Sequence, residues 1–321
     1  LNSNPHEGTL VGIDLGGTKL LAAVVSGDGA IVRKQEIPTR PELGVDDVIR
    51  RMEELVAALV GDDAAIRGIG VATAGTLDPS EGIVRDATNL GWRDVALGPR
   101  LSRRFGCRVT IENDANAAAY GEWVAGAGKG TEHFVYVTVS TGIGAGIVSS
   151  GRLLTGTTHS ASELGHMTID WRGPQCGCGN RGCLELYASG TAIARAAADA
   201  VRRGDPAAAE IAALAEGDAS RVTAKHVAVA AAQGDALALA LAREAGEAMG
   251  AGLASIVHAA NPQLVALGGG ALGIGEPLLA PMRESFAARC IPSMAQEVRL
   301  AFTTLGGDAG VIGAALLACA E

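Results

Sequence analysis

Aromatic side chains are scarce, with ten in 321 residues, and this removes aromatic platforms as carriers of the chemistry. Lysine is rarer still, confined to Lys19, Lys34, Lys129 and Lys225, and acidic residues outnumber basic ones enough to give a formal charge of −9 and a pI near 5.2. That balance disfavours a phosphate backbone as partner, so no nucleic acid is expected. Long unbroken apolar runs are also missing. The stretches 134–151 and 251–275 are interrupted by Gly, Ser, Thr or an Asn-Pro pair, and neither has the continuity of a membrane span. The first residues lack the basic start and apolar middle of a secretion signal, which makes the cytoplasm the expected compartment. Glycine, by contrast, is plentiful: 45 residues, about 14% where roughly 7% is usual. With 48% apolar and 19% charged residues the chain is globular, of a length for one large or two medium domains. Backbone-defined loops are therefore expected to carry function.

The stretch 9–25 is two apolar runs around a glycine-rich corner with Asp14, Thr18 and Lys19, which predicts a β-hairpin with a polar tip. A third strand at 31–37 and a helix over 45–60, with apolar residues at helical spacing, follow. Short buried strands are expected at 66–72 and 107–111, and this alternation indicates an α/β architecture. Residues 133–148 repeat the strand, glycine corner, strand layout, an echo about 125 residues after the first that suggests two copies of one domain. Ala-rich helices between 184 and 260, a strand at 263–267 and a final strand and helix over 298–319 complete the chain.

Glycine corners at 14–19, 140–146 and 268–270 each follow an apolar strand and can bring backbone N–H groups to phosphate or nucleotide, a tight turn being the plainer reading of any one of them. None has the P-loop spacing, and the first lacks the Rossmann pattern. Asp114 stands just past a strand, where a carboxylate can accept the proton of an attacking hydroxyl; the alternative is an Asx turn or helix N-cap, because 115–124 looks helical. Asp14 has a turn-capping alternative of the same kind. Six cysteines would suit a disulfide framework in a short secreted chain, but Cys176, Cys178 and Cys183 crowd together, and with His166 they give H-x9-C-x-C-x4-C. That is the donor set of structural zinc, and a closed four-ligand site leaves no open position for catalysis. Cys107, Cys290 and Cys319 read as small buried apolar residues. Glu163 and His166, three apart, share a side if their segment is helical.

Asp14-Leu-Gly-Gly-Thr-Lys19, Glu112-Asn-Asp-Ala-Asn116, Ser140-Thr-Gly-Ile-Gly144, Glu163-Leu-Gly-His-Met167 and Cys176-Gly-Cys-Gly-Asn-Arg-Gly-Cys-Leu-Glu185 resemble the ROK family (repressors, open reading frames and kinases), in the family's order and over essentially the whole chain. The resemblance implies two RNase-H-like α/β domains of the actin, hexokinase and Hsp70 superfamily with ATP in a central cleft. The domains would be residues 9–124 and 125–321, the second holding a zinc loop at 166–183 and a last helix near 308–319 that packs back on the first. It implies Asp114 as general base and Asn113 on a sugar hydroxyl. Asp14 would organise Mg²⁺ and the phosphates, with Gly16, Gly17, Thr18, Lys19, Thr141, Gly142 and Gly144 at the phosphates and Gly268 and Gly269 on the adenosine side. Glu163, His166 and Glu185 would read sugar hydroxyls, His166 through the ring nitrogen that zinc leaves free. Gly75 would approach the sugar in a loop where Ala74 replaces the usual proline, and Asn89 would lie near it. The implied activity is transfer of phosphate from ATP to the 6-hydroxyl of a hexose, glucose first, in a homodimer or higher homo-oligomer. Kinases for N-acetylmannosamine, N-acetylglucosamine, allose or fructose are the alternatives, with a polyphosphate-dependent glucokinase set aside because such members look zinc-free. A non-enzymatic alternative is a sugar-sensing ROK regulator, although those carry an N-terminal helix-turn-helix and only a few residues here precede the first expected strand.

Overall fold

A computed structural model describes residues 8–61 and 65–320. Strands β1 (Thr9–Leu15) and β2 (Lys19–Val25) form the expected antiparallel hairpin, with Leu15 opposite Leu20 at the corner, and β3 (Ile31–Pro38) pairs with β2. Helix α1 (Val45–Val60) buries the stripe its spacing announces: Val48, Ile49, Met52, Leu55, Val56 and Leu59. Strand β4 (Ile66–Thr73) runs parallel to β1. A small antiparallel sheet of β5 (Thr76–Asp78), β6 (Ile83–Ala87) and β7 (Trp92–Val95), and helix α2 (Leu97–Phe105), then intervene. Strand β8 (Arg108–Asn113) lies parallel to β4 and leads directly into α3 (Asp114–Val124).

The second half begins with β9 (Phe134–Val139), β10 (Ile143–Ser149) and β11 (Arg152–Leu153). Helices α4 (Glu185–Ala188), α5 (Gly190–Arg202), α6 (Ala209–Leu214), α7 (Ala224–Ala232) and α8 (Ala236–Ala260) follow. The chain then forms β12 (Leu264–Gly268), α9 (Glu276–Arg289), α10 (Pro292–Glu297), β13 (Arg299–Phe302) and α11 (Ala309–Leu317). The two large sheets have orders β3-β2-β1-β4-β8 and β11-β10-β9-β12-β13. Each therefore places its third, second, first, fourth and fifth strands in the same sequence, so the echo between 9–25 and 133–148 is a repeat of topology.

Strand periodicity decides what the first sheet offers its site. Val11, Ile13 and Leu15 join the core formed with α1 and α2, while Leu10, Leu21, Ala23 and Val25 pack with Val311, Ile312, Ala315 and Leu316 of α11. Side chains alternate along a strand, so Asp14 emerges on the α11 side, where a Cβ placed on Gly310 would lie 3.3 Å from its Oδ2. Helix α11 approaches closely because Gly12 and Gly70 face it: a Cβ on either would meet the carbonyl of Val311 at 1.8 Å or of Ala314 at 1.7 Å. By their contacts, the described residues up to Tyr136, Gly146–Ser162 and those from Thr303 onward form one compact unit; Val137–Ala145 and Glu163–Phe302 form a second. No helix among the described residues is long and apolar enough to cross a membrane.

Candidate active site

In the first unit the corner between β1 and β2 is closed by its own backbone: Gly16 N–H donates to Lys19 O at 3.0 Å, and the Thr39 hydroxyl donates to Gly16 O at 2.6 Å. Gly17 abuts the Asn89 backbone, whose carbonyl would lie 2.9 Å from a Cβ at Gly17, so the Asn89 turn and the corner are neighbours. Thr18 and Lys19 are exposed, and Lys19 pairs with Glu36 at 3.3 Å. Gly75 has φ +118, and a Cβ there would meet Asp86 O at 2.2 Å. Its glycine is thus required by the β6 backbone, whatever its role toward a ligand. Asp78, at the end of the same segment, is held by Ser80 and Arg85, first the hydroxyl and then the guanidinium drawing its carboxyl down to about 2.

The helix cap that was the alternative role of Asp114 falls to its neighbour. Asn113 is the N-cap of α3, its Oδ1 accepting the amides of Ala115 at 2.9 Å and Asn116 at 3.2 Å. Asp114 is the first residue inside the helix, its Oδ1 accepting the adjacent Ala115 amide at 2.8 Å. Solvent reaches its side chain, yet most of its surroundings are protein, and this desolvation raises its pKa against the pull of the Ala115 amide. Asp14 is shifted further, up to about 6, first by burial and then by the negative charge of Asp114, with Lys19 opposing. A buried carboxylate whose proton affinity is raised further by a neighbouring one is a site of unbalanced negative charge. Such a site suits proton acceptance near neutrality or an oxygen-liganded divalent cation.

In the second unit the corner between β9 and β10 carries Thr141, Gly142 and, inside β10, Gly144. Glu185, the first residue of α4, accepts the Ile143 amide on Oε2 at 2.8 Å, and a Cβ on Gly142 would lie 2.4 Å from that oxygen. One carboxylate oxygen of Glu185 is therefore committed to holding the corner. Leu164–His166 form a single 3-10 turn, not an α-helix, with Glu163 exposed just before it. Gly165 presses on the corner so tightly that a Cβ would sit 2.2 Å from Ile143 O. The turn that carries Glu163 and His166 thereby packs on the 141–144 corner that Glu185 also holds.

His166, Cys176, Cys178 and Cys183 converge, with their ligand atoms within 4.8 Å of one another. His166 presents Nδ1 to Cys176 Sγ at 3.7 Å, leaving Nε2 on the other side of the ring, and Cys178 and Cys183 sulfurs are 3.7 Å apart. A disulfide needs about 2.0 Å, whereas a tetrahedron of metal–sulfur bonds near 2.3 Å has edges of about 3.8 Å. The residues fit zinc. Burial, then the neighbouring thiols, pushes Cys183 up to about 12, a tension that a cation among the four ligands relieves. Backbone bonds shape the loop: Cys176 N–H to Asn180 O at 2.7 Å and Gly179 N–H to Cys176 O at 3.0 Å.

A cavity of about 880 Å³ opens in the second unit, lined by Thr141 at one end and by Gly190, Val222, Lys225, Val229 and Ile274 among others. Its size and largely apolar wall fit a nucleoside. Gly268 and Gly269 do not line it. Gly269, at φ +97, turns the chain against Val139, and Gly270, Ala271 and Gly273 beyond it reach the wall. Sequence reasoning missed Thr191, Lys225 and the α7 residues. The only available signals were the rarity of lysine and the glycines continuing past 269, because Ala-rich helix faces look the same whether they line a core or a cavity.

The ROK family's sequence profile matches residues 10–321. A glucokinase from Thermotoga maritima is 39% identical, over 95% of this chain and 96% of its own. A crystal structure of a ROK family glucokinase from Streptomyces griseus in complex with glucose and AMPPNP is 36% identical, covers 97% of this chain and 99% of its own, and superposes with a TM-score of 0.81. An N-acetylmannosamine kinase from Escherichia coli is 36% identical over 98% of this chain and 99% of its own.

Proposed function

The chain belongs to the ROK family, and on that footing we propose that it is an ATP-dependent hexose kinase whose substrate is glucose and whose product is glucose 6-phosphate. The observation that carries this reading is Asp114, a desolvated carboxylate relieved of capping duty by Asn113 and open to solvent. Its free oxygen takes the proton of the 6-hydroxyl as the hydroxyl oxygen bonds to the γ-phosphorus and the bond to the ADP oxygen breaks, which is the role phosphoryl transfer leaves to a base. The relatives described as glucokinases support glucose as the acceptor. The similarity to an N-acetylmannosamine kinase keeps an N-acetylated hexose as the second reading.

The other roles follow from placement. Asp14, beside Asp114 and unbalanced in charge, would hold Mg²⁺ together with the nucleotide phosphates. When bound, Mg²⁺ supplies the positive charge that a chain with four lysines lacks. Gly16, Gly17, Thr18 and Lys19, with Thr141, Gly142 and Gly144, line the phosphates, and the cavity beyond Thr141 takes the adenosine. Glu163, the Nε2 of His166, the free oxygen of Glu185 and the Asn113 amide nitrogen meet sugar hydroxyls, with Asn89 and the Gly75 segment near them. Zn²⁺ on His166, Cys176, Cys178 and Cys183 orders the loop and fixes the His166 ring. Family resemblance further supports a cytoplasmic, glycolytic enzyme that works as a homodimer or larger assembly. Replacement Asp114→Ala should lower turnover by about 10²- to 10⁴-fold, the usual worth of a general base, while Mg-ATP still binds by calorimetry. Turnover close to that of the unaltered enzyme would remove Asp114 from the mechanism.

A further inference from the structure

Glu112 is the last residue but one of β8 and is largely enclosed, a costly place for a carboxylate unless it is paired. Its Oε1 accepts two hydrogen bonds. One comes from the backbone amide of Asn113 at 2.9 Å, the other from the side-chain Nδ2 of Asn116 at 3.1 Å. Asn116 is 1% exposed, and its Oδ1 has no partner among the described residues, so Glu112 is what orients its amide. Asn113 in turn caps α3 by accepting from Ala115 and Asn116. A single oxygen of Glu112 therefore clamps the chain on both sides of Asp114, at the cap before it and two residues after it.

We propose that Glu112, acting with Asn116, is the positioning residue that fixes the Asp114 carboxylate for proton acceptance. An apolar residue would serve the sheet at this point without the desolvation cost, and the two bonds that repay the carboxylate both end on the turn that carries the base. Burial raises the Glu112 pKa, and the hydrogen bonds from Asn116 and Asn113, then the nearby His159 imidazole, oppose that shift. Glu112 touches no reacting atom; its effect is on where Asp114 stands.

The inference rests on Asp114 being the base, and the test separates the two. Steady-state kinetics with glucose and Mg-ATP would compare the unaltered enzyme with E112A, E112Q, D114A and the E112A/D114A pair, with melting temperature followed for each. Loss of the clamp should lower kcat by about 10- to 100-fold, the scale of an ångström-sized misplacement, with KM for Mg-ATP unchanged. Glu112→Gln keeps a carbonyl oxygen for both donors and should recover most of that loss. In the double variant the E112A effect should disappear, because a misplaced base that is already absent costs nothing more. If E112A does not fold, Asn116→Ala tests the same clamp from its other end, with the same expected fall in kcat and the same non-additivity with D114A. An E112A enzyme with unaltered kcat, or losses that multiply with D114A, would overturn the proposal. A fully active D114A would instead overturn the assignment of the base.

Discussion

Asp14 is ionised at neutral pH against its environment. Its folded pKa of about 6 lies above the ordinary 3.8, so the folded state holds the proton more tightly than the unfolded chain. The stability tied to that proton is complete below about pH 4 and is lost as the pH rises through about 6. The charge then costs on the order of 3 kcal/mol by the usual conversion. Asp14→Asn, studied without nucleotide or Mg²⁺, should therefore be more stable to urea at pH 7.5 by about 1–3 kcal/mol, and the gain should vanish near pH 4. Equal stability of the two proteins at pH 7.5 would contradict the rise that burial and then the charge of Asp114 impose on Asp14. Both aspartates are legible in the sequence because each ends an apolar strand. Which of Asn113 and Asp114 caps α3 is not legible, since adjacent Asn and Asp compete on equal terms for the cap and the outcome depends on Glu112 holding the Asn113 amide. The partner of Gly75 was equally hidden: a glycine shows that something comes close, and only the folded β6 shows that it is the Asp86 carbonyl.

The elements that the sequence announces are those whose periodicity is long enough to read. The hairpins of β1–β2 and β9–β10 and the helix α1 fall where an apolar run or helical spacing continues for six residues or more. Strands β5, β6 and β7 are three to five residues long and alternate too briefly to register, and α2 has nine residues with three buried. The metal loop is the opposite case, because ligand identity and spacing survive without any regular structure around them. Its proposed link to the sugar is the His166 ring, which sits in the turn that Gly165 presses against the 141–144 corner. Replacing the exposed Cys178 by Ser should remove zinc, read by metal analysis, and lower the melting temperature. It should also raise KM for glucose by about 10-fold or more through the released His166, with KM for ATP little changed. Zinc loss with an unaltered KM for glucose would separate the metal from the sugar site.

Among the described residues one strand order is used twice, and the candidate chemistry is divided between the two compact units. The first unit carries the paired carboxylates, the second the nucleoside-sized cavity, the metal loop and the Glu163, His166 and Glu185 set. The duplication was legible because both copies keep an apolar strand before a glycine corner. The cavity was not, because its wall is assembled from α5, α7 and the 270–274 turn, segments far apart in sequence whose alanines and glycines carry no mark of what they enclose. A negatively charged chain with four lysines would depend on glycine corners and a divalent cation to hold a polyphosphate, which is how the proposal has it take ATP. The account is tested most directly by ADP release from Mg-ATP with glucose, mannose, fructose, N-acetylglucosamine and N-acetylmannosamine as acceptors. It predicts turnover with a clear preference for glucose, while the absence of any sugar-dependent ADP release would contradict it.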